Sequence, residues 1–466
     1  MAWRELLNAV SLLGRVVGPG ATARLLSSPI RYDVRRGAAK LTVDVLVQKF
    51  GGTSLQTLDC VRRAALRILA ARRRGSAVAV VVSARGRRTD DLLRLAADVG
   101  AADPSRELDQ LLAVGESESA ALMALALNGL GAPAISLTGH QAGIQTTDRH
   151  GDALITRIGV DRVRSALDGG KVAVVTGFQG VAPAGDIATL GRGGSDTTAV
   201  ALAARLRASV CEIYTDVDGV FSADPRILPA ARCLPWVPPG VMAEMAFAGA
   251  RVLHTRCIEL AAMEGVEVHV RNASTQAPGT TVVDRQDAGL LETRRAVVAV
   301  TDDTDVARVL VHCRDGHRDL APDVFEVLAA QGTVVDLVAR SGPYENEFRM
   351  GFTIRRSQAE PVRAALHKLT ATFGGGVHFD ENVGKVSVVG MGLLSRPEYT
   401  ARLMSALAGA GIPTSWISTS QMRLSVIVPR ERVVDAVETL HREFHLDEPE
   451  PTDVASATNS GRSATA

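Results

Sequence analysis

From Val43 to Asn272 the chain alternates short apolar runs, rich in β-branched residues, with segments of helical spacing. Strands that are separated by helices pair in parallel through right-handed crossovers, so the pattern predicts an α/β sandwich with a mostly parallel sheet. Ligands of such sheets bind beyond the carboxyl ends of the strands. The apolar runs lie at 43–50, 77–84, 171–178 and 266–272, and the helical segments at 55–74, 115–130 and 196–207. The residues expected at the strand ends are Lys49, Ser83, Gly177 and Thr215.

Composition agrees with this architecture and narrows the function. Apolar residues make up 46% of the 466 residues but aromatic residues only 4%, as expected for parallel strands covered by helices. A chain of this length predicts two or three domains. The 52 basic residues nearly balance the 51 acidic ones, which disfavours a nucleic acid or a membrane bound through bulk charge. Five widely spaced cysteines without a CxxC pair indicate a reduced, cytoplasmic protein with buried structural thiols.

Both ends of the chain differ from its middle. Residues 1–42 are expected to form a poorly ordered extension, with an amphipathic arm or a transit-like segment as the alternatives. Residues 449–466 are polar and small, which predicts a disordered tail. No apolar run reaches the roughly 18 residues that cross a bilayer.

A duplication follows Pro278-Gly279. When the sequence is compared with itself at a shift of 79 residues, matches recur in the order strand, loop, helix, glycine, strand. Two copies predict two small α/β domains, at 296–375 and 383–448, rather than a solenoid. The aligned pairs are Val309 with Val388, Leu328 with Leu407, Ala329 with Ala408, Gly332 with Gly411 and Ser341 with Ser420.

Residues 189–226 combine a glycine-rich loop, an alanine-rich helix and a strand that ends in a Thr-Asp turn. Backbone NH groups at a helix N-terminus favour anions, and glycines let a phosphate or carboxylate approach the main chain. Lys49, followed by Gly51 and Gly52, adds an ammonium that can stabilise charge on a transferring phosphoryl group. The spacing of a Walker loop is absent.

Gly115-Glu116 is interpreted as the start of a helix, where a glutamate commonly stabilises the helix dipole. The functional alternative gives the α-ammonium of a small amino acid to Glu116 and its α-carboxylate to Arg192. Asp196 and Asp216 are candidates for orienting a lysine or Mg²⁺. A calcium loop after residue 216 is disfavoured, because it lacks the glutamate that ends an EF-hand loop.

Several long motifs in the correct order resemble the aspartate kinase family over about residues 43–447. The resemblance implies an amino acid kinase domain at 43–285, two ferredoxin-like ACT domains, and transfer of the γ-phosphoryl group of ATP, with Mg²⁺, to the β-carboxylate of L-aspartate. That reaction begins the route to lysine, threonine, methionine and diaminopimelate. The motifs are VQKFGGTSL (47–55), VVSARGRRTDDLL (82–93), GE (115–116), SLTGHQAGIQTT (136–147), GFQGV (177–181), TLGRGGSDTTAVALAA (189–204), YTDVDGVFSADPR (214–226), GARVLH (249–254) and VRNAS (270–274).

The resemblance also implies roles for individual positions. Asp196 would orient the catalytic lysine, Lys49, and Arg251 stands where many relatives have a lysine that contacts phosphate. The positions implied for ATP are Lys49, Gly51, Gly52, Thr215, Asp216, Phe221 and Arg226. The positions implied for aspartate are Ser83, Thr89, Glu116, Arg192 and Ser195. No metal ligand is directly assigned.

The regulatory half departs from the family pattern. Charged residues at 314–319 replace a short turn before the first ACT helix, where family members bind amino acid effectors. Bulky charged groups there would obstruct a small effector, so feedback inhibition by lysine or threonine is expected to be weak or absent. The Ser117-Glu118 pair is also atypical, with little expected effect on aspartate binding. The candidate effector residues are Asp315, Asp336, Arg340, Ser341 and Gln421.

Two alternatives remain open from the sequence. One is another amino acid kinase, acting on glutamate or acetylglutamate, and the other is a catalytically weak amino acid sensor that works through its ACT units. The family assembles through its ACT domains, so a homo-oligomer is expected, and edge strands offer the physical basis.

Overall fold

The computed structural model describes residues 44–100, 103–284, 296–313, 319–340 and 348–448. The predicted extension at 1–42, the predicted tail at 449–466, Asp315 and Ser341 lie outside these ranges. Within these ranges the chain divides into two compact units, one in residues 44–216 and 263–276, the other in residues 217–262 and 277–448.

The strands and helices up to residue 282 include the elements of the predicted α/β sandwich. The strands are β1 (Val45–Phe50), β2 (Ala77–Val82), β3 (Ala134–Leu137), β4 (Ile144–Thr146), β5 (Ile155–Ile158), β6 (Val172–Thr176), β7 (Gln179–Val181), β8 (Ile187–Thr189), β9 (Val210–Thr215), β10 (Val220–Phe221), β11 (Cys233–Leu234), β12 (Trp236–Val237), β13 (Val268–Asn272) and β14 (Thr280–Val282). The helices are α1 (Leu58–Arg73), α2 (Arg88–Asp98), α3 (Arg106–Gly129), α4 (Asp161–Asp168), α5 (Gly194–Leu206), α6 (Pro239–Phe247) and α7 (Thr255–Glu264).

The later elements follow residue 296. Their strands are β15 (Val297–Asp303), β16 (Val306–Cys313), β17 (Asp336–Arg340), β18 (Phe348–Arg355), β19 (Gly375–Asp380), β20 (Val383–Gly390), β21 (Ile417–Thr419) and β22 (Arg423–Pro429). Their helices are α8 (Ala321–Ala330), α9 (Ala359–Ala371), α10 (Pro397–Gly409) and α11 (Val433–Glu443).

Six parallel strands form the main sheet of the first unit, in the order β13, β9, β1, β2, β6, β3. Lys49 in β1 lies beside Val81 of β2 and Ile213 of β9. Because parallel strands end at the same edge, this register brings the loops after β1, β2, β6 and β9 together. The predicted α/β sandwich with a mostly parallel sheet is therefore confirmed.

Small apolar side chains let helices pack closely on this sheet. In α1, Val61, Ala64, Ala65 and Ile68 recur at helical spacing and are buried in the core with the strands. The helix begins where the hydroxyl of Thr57 accepts a hydrogen bond from the amide of Cys60. This packing explains how a chain with few aromatic residues builds its core.

Helix α3 corrects one prediction. Gly115-Glu116 does not start a helix, because α3 begins ten residues earlier at its N-cap Ser105 and continues through both residues to Gly129. Gly115 instead lets α3 pack closely against the loop after β2, because a Cβ on Gly115 would lie 2.8 Å from the Cβ of Ala84. Among the described helices, α3 alone is long and apolar enough to cross a membrane by length and composition, and half of that stretch is buried inside the fold.

A second, smaller sheet completes the first unit. Its order is β5, β4, β7, β8, with antiparallel pairs at both ends and a parallel pair in the middle. Strand β8 ends at Thr189 and leads into the glycine-rich loop before α5. The small sheet thus sets where that loop begins.

The second unit contains two four-stranded antiparallel sheets, ordered β15, β20, β22, β21 and β17, β18, β16, β19. The aligned glycines of the repeat occupy equivalent places, since Gly332 and Gly411 follow α8 and α10 with φ angles of 59° and 62°. Strand β15, however, lies in the range predicted for the first ACT domain but pairs with β20 of the second range. The two sheets therefore do not follow the linear order of the repeat.

The five cysteines, all of which lie in the described part of the chain, form no disulfide. Cys211, Cys257 and Cys313 are buried, as expected of structural thiols, whereas Cys60 is partly exposed and Cys233 is exposed. The prediction of buried thiols is therefore wrong for Cys60 and Cys233. Cys60 lies near the start of α1, and Cys233 lies in the short strand β11, which pairs with β10.

Candidate active site

A lysine and an aspartate form a close ion pair at the carboxyl edge of the main sheet. The Nζ of Lys49, at the end of β1, lies 2.5 Å from Oδ1 of Asp196, and both side chains are largely buried. Asp196 stands in the first turn of α5. The carboxylate holds the ammonium in one place, so the positive charge is fixed before any substrate binds.

The two glycines after β1, Gly51 and Gly52, leave the main chain beside Lys49 without side chains. The amide of Gly51 donates to the carbonyl of Tyr214, and a Cβ on Gly51 would lie 3.4 Å from the Nζ of Lys49. A Cβ on Gly52 would lie 2.8 Å from the carbonyl oxygen of Ala84. Larger side chains would therefore crowd the lysine or push apart the loops after β1 and β2.

Glu116 is a buried carboxylate with one free oxygen. Its side chain is only 3% exposed, and Oε1 accepts a hydrogen bond of 3.0 Å from the amide of Ala84. Among the described residues, Oε2 has no hydrogen-bond partner. Burial raises the pKa of Glu116 to about 7, against the opposing effect of the Ala84 amide. A buried acceptor without a partner suits a ligand that brings a positive charge.

Ser83 and Thr89 flank a loop that α3 anchors. Ser83 follows β2, where its amide donates to the carbonyl of Phe50, and Thr89 lies in the first turn of α2. The carboxylate of Glu118 lies 2.6 Å from Arg85 and 3.4 Å from Arg88 in the same loop. Glu118 therefore holds the two arginines that follow β2, a role that the sequence did not predict.

Arg192 and Ser195 lie on the glycine-rich loop and on the helix that follows. Arg192 is exposed, between Gly191 and Gly193, which have φ angles of 71° and 69°. Ser195 is buried in the first turn of α5, against Gly177 at the end of β6. The predicted substrate residues of the first unit therefore stand on the loops at the carboxyl edge or beside them.

Replacing Gly177 with alanine is expected to displace this turn. The added Cβ would meet the Cβ and Oγ of Ser195 at 2.7 Å and its Cα at 2.9 Å, so α5 must shift as a whole. We expect the KM for aspartate to rise at least about tenfold, the cost of a small misplacement of binding groups. Steady-state kinetics with Gly177→Ala and with Gly159→Ala, where a Cβ meets nothing, make the comparison. Equal KM values for the two variants would contradict it.

Thr215 is the last residue of β9, and Asp216 follows it. The hydroxyl of Thr215 donates to Oδ1 of Asp216, and the carbonyl of Thr215 accepts from the amide of Ala273. Asn272, at the end of the neighbouring β13, donates from Nδ2 to the carbonyl of Asp216. The turn is thus fixed by the adjacent strand, with the Asp216 side chain exposed.

Phe221, Arg226 and Arg251 belong to the second unit. Phe221 pairs with Cys233 in a short hairpin, and Arg226 is held by Asp224 at 2.6 Å. The hydrogen bonds from Arg226 lower the pKa of Asp224. Arg251 is exposed and stands two residues after Gly249, where a Cβ would lie 2.0 Å from the carbonyl oxygen of Asp302.

Two of the described effector candidates, Asp336 and Arg340, form ion pairs with other residues of the second unit. Asp336 accepts from the ammonium of Lys385 at 2.8 Å and from both terminal nitrogens of Arg423 at 3.0 and 3.1 Å. Burial alone would raise the pKa of Asp336, but these two cations hold it well below its usual range. The guanidinium of Arg340 lies 3.0 Å from Asp319, and Gln421 is exposed.

Comparison with known proteins agrees with this arrangement. Residues 44–272 match the model of the amino acid kinase family, and residues 386–444 match a model of the ACT domain. The aspartokinase of Thermus thermophilus is 42% identical over 405 residues, which is 86% of this chain and 99% of the relative. The aspartokinase of Mycolicibacterium smegmatis is 44% identical over 412 residues, covering 86% of this chain and 96% of the relative.

A solved structure supports the same assignment. Escherichia coli aspartokinase III in complex with aspartate and ADP, in the R-state, is 25% identical, with a TM-score of 0.72 over 86% of this chain and 99% of that one. The similarity covers both the kinase and the ACT regions, which sets aside the alternatives of another amino acid kinase and of a mere sensor. The chain therefore belongs to the aspartokinase family, whose aspartate kinase activity it shares.

Proposed function

We propose that Lys49 and Glu116 mark the two ends of the active site in the first unit. Glu116 receives the α-ammonium of aspartate on its free oxygen, and Lys49 meets the phosphates of ATP. The observation that carries this assignment is whether each charged group already has a partner within the protein. Lys49 is held by Asp196 at 2.5 Å, whereas the buried carboxylate of Glu116 keeps one oxygen without a partner among the described residues.

Substrate groups are assigned to the remaining residues by their chemistry. Arg192 binds the α-carboxylate with its planar guanidinium, and Ser83, Thr89 and Ser195 donate hydroxyl hydrogen bonds to aspartate. Thr215 and Asp216 contact the nucleotide. The contacts that the family resemblance implies for Phe221 and Arg226 with the nucleotide, and for Arg251 with phosphate, stay predictions. Gly51 and Gly52 let the phosphates approach the main chain.

Phosphoryl transfer then needs positioning and charge rather than a base. The β-carboxylate, with an ordinary pKa of about 4, is already ionised near neutral pH. One of its oxygens forms a bond to the γ-phosphorus while the bond from that phosphorus to the bridging oxygen breaks, giving 4-phospho-L-aspartate and ADP. Lys49 stabilises the charge that develops on the phosphoryl oxygens, and Asp196 keeps its ammonium in place.

Mg²⁺ is proposed as a companion of the nucleotide. The described residues hold no cluster of three or more His, Cys, Asp or Glu side chains placed for a metal ion. Mg²⁺ that enters with ATP needs only one or two carboxylates besides the phosphates, and the exposed carboxylate of Asp216 is suited to that. When bound, the ion neutralises charge on the phosphates.

Calorimetric titration with aspartate tests whether Glu116 binds aspartate while Lys49 contacts only the phosphates. Lys49→Met should bind aspartate nearly as the wild type does, because its lost charge faces the phosphates. Glu116→Gln should show no measurable heat at the same concentrations. Equal loss of binding in both variants, or retention in both, would contradict this assignment.

Feedback control is proposed to be weak. Asp336 is already engaged by Lys385 and Arg423, and Arg340 by Asp319, so an amino acid effector would have to displace existing ion pairs in order to use these groups. We expect millimolar lysine or threonine, alone or together, to lower the rate by less than about twofold, a coupling free energy below about 0.5 kcal/mol. Initial rates at half-saturating aspartate measure this. Inhibition of tenfold or more by either amino acid would contradict it.

The proposal also covers the limits of the domains, the assembly of the chain into a homo-oligomer and its location in the cytoplasm. The kinase domain is placed at 43–285 and the ACT domains at 296–375 and 383–448, with β15 exchanged into the second sheet. Both ACT sheets end in short or exposed edge strands, such as β21, which offer surfaces for a homo-oligomer. A cytoplasmic location fits five described cysteines that are not joined in disulfides.

A further inference from the structure

A second buried carboxylate, Asp109, lies on the same helix as Glu116 and has no part in the chemistry above. It stands in the first turn of α3 and is 1% exposed. Burying a carboxylate is costly unless hydrogen bonds satisfy it. Such a group must therefore be held by partners, and those partners show what the carboxylate organises.

Within the described residues, the carboxylate of Asp109 is bound by two chain segments, the loop at 150–151 and the end of β8 with the loop after it. Its Oδ2 accepts from the amide of Thr189 at 3.0 Å, and its Oδ1 accepts from the hydroxyl of the same residue. The amide of Gly151 lies 3.2 Å from both carboxylate oxygens, and Nδ1 of His150 lies 2.8 Å from Oδ2. The carboxylate therefore ties residues 150–151 and the end of β8 to one helix turn.

These two loops also contact each other just before the glycine-rich loop. The amide of Ala153 donates to the carbonyl of Thr189 at 2.8 Å. A Cβ on Gly191 would lie 3.0 Å from the carbonyl oxygen of Gly151, and Gly191 has a φ of 71° that suits glycine. Arg192 follows directly, so the position of its backbone depends on where Asp109 holds Thr189.

We infer that Asp109 is a positioning residue that sets the place of Arg192 for the α-carboxylate of aspartate. This role rests on the proposed role of Arg192. Asp109 and Glu116 are seven residues apart on α3, which is about two turns, or about 10 Å along the helix, on nearly the same face. One rigid helix thus fixes both the group that binds the ammonium and the loop that binds the carboxylate, and thereby their separation.

The test compares isosteric substitutions by the KM values of the two substrates. Thr189→Val removes the hydroxyl and Thr189→Ser retains it, while Asp109→Asn removes the charge. We expect Thr189→Val and Asp109→Asn to raise the KM for aspartate about tenfold or more, the KM for ATP to stay within about twofold, and Thr189→Ser to remain near the wild type. If Asp109→Asn does not fold, the two Thr189 variants still decide the question.

A destabilised control separates positioning from loss of stability. Ile68→Ala opens a cavity under α1, where the side chain is fully buried, and should lower the thermal midpoint without changing the ratio of the two KM values. Equal increases in both KM values for Thr189→Val, or no increase in either, would overturn the role of Asp109. So would failure of Thr189→Ser to restore the aspartate KM.

Arg192→Gln distinguishes failure of this role from failure of the assignment on which it rests. If Arg192→Gln leaves the aspartate KM unchanged, the proposed role of Arg192 is wrong and the role of Asp109 falls with it. If Arg192→Gln raises that KM while Thr189→Val does not, only the role of Asp109 is overturned. In the Asp109→Asn, Arg192→Gln double variant we expect less than the product of the two single effects, since both act on one contact.

Discussion

Lys49→Met is expected to lower kcat by about 10² to 10³-fold, the usual cost of losing one fixed group that stabilises charge in the transition state. The methionine keeps the length of the side chain and removes its charge. Lys49 is buried beside Asp196, so no solvent cation replaces it readily. Release of ADP at saturating aspartate and ATP measures the effect.

The matched control is Lys171→Met. Lys171 is exposed and directly precedes β6, at the amino edge of the main sheet, whereas Lys49 ends β1 at the opposite edge. Its kcat should equal that of the wild type. Asp196→Asn should lower kcat less than Lys49→Met does, because the lysine remains but is no longer held. A kcat for Lys49→Met within tenfold of the wild type would remove Lys49 from the chemistry.

Glu116→Gln is expected to raise the KM for aspartate about 100-fold or more, because the ammonium loses a buried, charged partner. Glutamine has nearly the same shape, so the packing of α3 should persist. Glu107→Gln on the same helix is the control, since the side chain of Glu107 is exposed. Similar KM values for the two variants would show that Glu116 does not bind the substrate.

The same substitution should stabilise the protein at alkaline pH. Burial raises the pKa of Glu116 to about 7, above the value of the unfolded chain, so the folded state binds more protons. The free energy of unfolding of the wild type therefore falls as pH rises through this range. Near pH 8 Glu116→Gln should gain up to about 3 kcal/mol, and this gain should vanish below about pH 4. A loss of stability near pH 8 would contradict the assigned burial.

Aspartate binding should show the opposite dependence on pH. Only the ionised form of Glu116 pairs with an ammonium, so the KM for aspartate of the wild type should rise as pH falls below 7. The KM of Glu116→Gln should not follow this change. Kinetics across that range with both proteins give the comparison, and parallel pH profiles would speak against an ionised Glu116 in the complex.

The sequence predicts the edge of the sheet well, because strand ends and glycines are local signals. Lys49, Gly51, Gly52 and Thr215 stand at the carboxyl edge, as the alternation of strands and helices indicated. The predicted helix start at Gly115-Glu116 is wrong, because a glycine inside an apolar run does not by itself mark one end of a helix. Gly115 is needed instead for contact with Ala84, 31 residues away along the chain, and no local pattern reveals such a contact.

Long-range pairings account for the other differences. The repeat is visible in the sequence, but the pairing of β15 with β20 of the second copy is not. An exchange of strands between two copies leaves the periodicity of the sequence unchanged. No local signal shows the roles of Asp109 and Glu118, because their partners Thr189 and Arg85 lie 80 and 33 residues away along the chain. The one local hint is an acid four residues after Ser105, a serine that already caps the helix by accepting from the amide of Leu108.

The most direct test of the two-ended site compares L-aspartate with succinate, which lacks the ammonium but keeps both carboxylates. Trapping the acyl phosphate with hydroxylamine gives kcat/KM for each acceptor. In the wild type we expect aspartate to be preferred by about 100-fold or more, and in Glu116→Gln we expect that preference to fall to within about tenfold. Equal use of the two acceptors by the wild type, or an unchanged preference in Glu116→Gln, would contradict the assignment of Glu116 to the substrate ammonium.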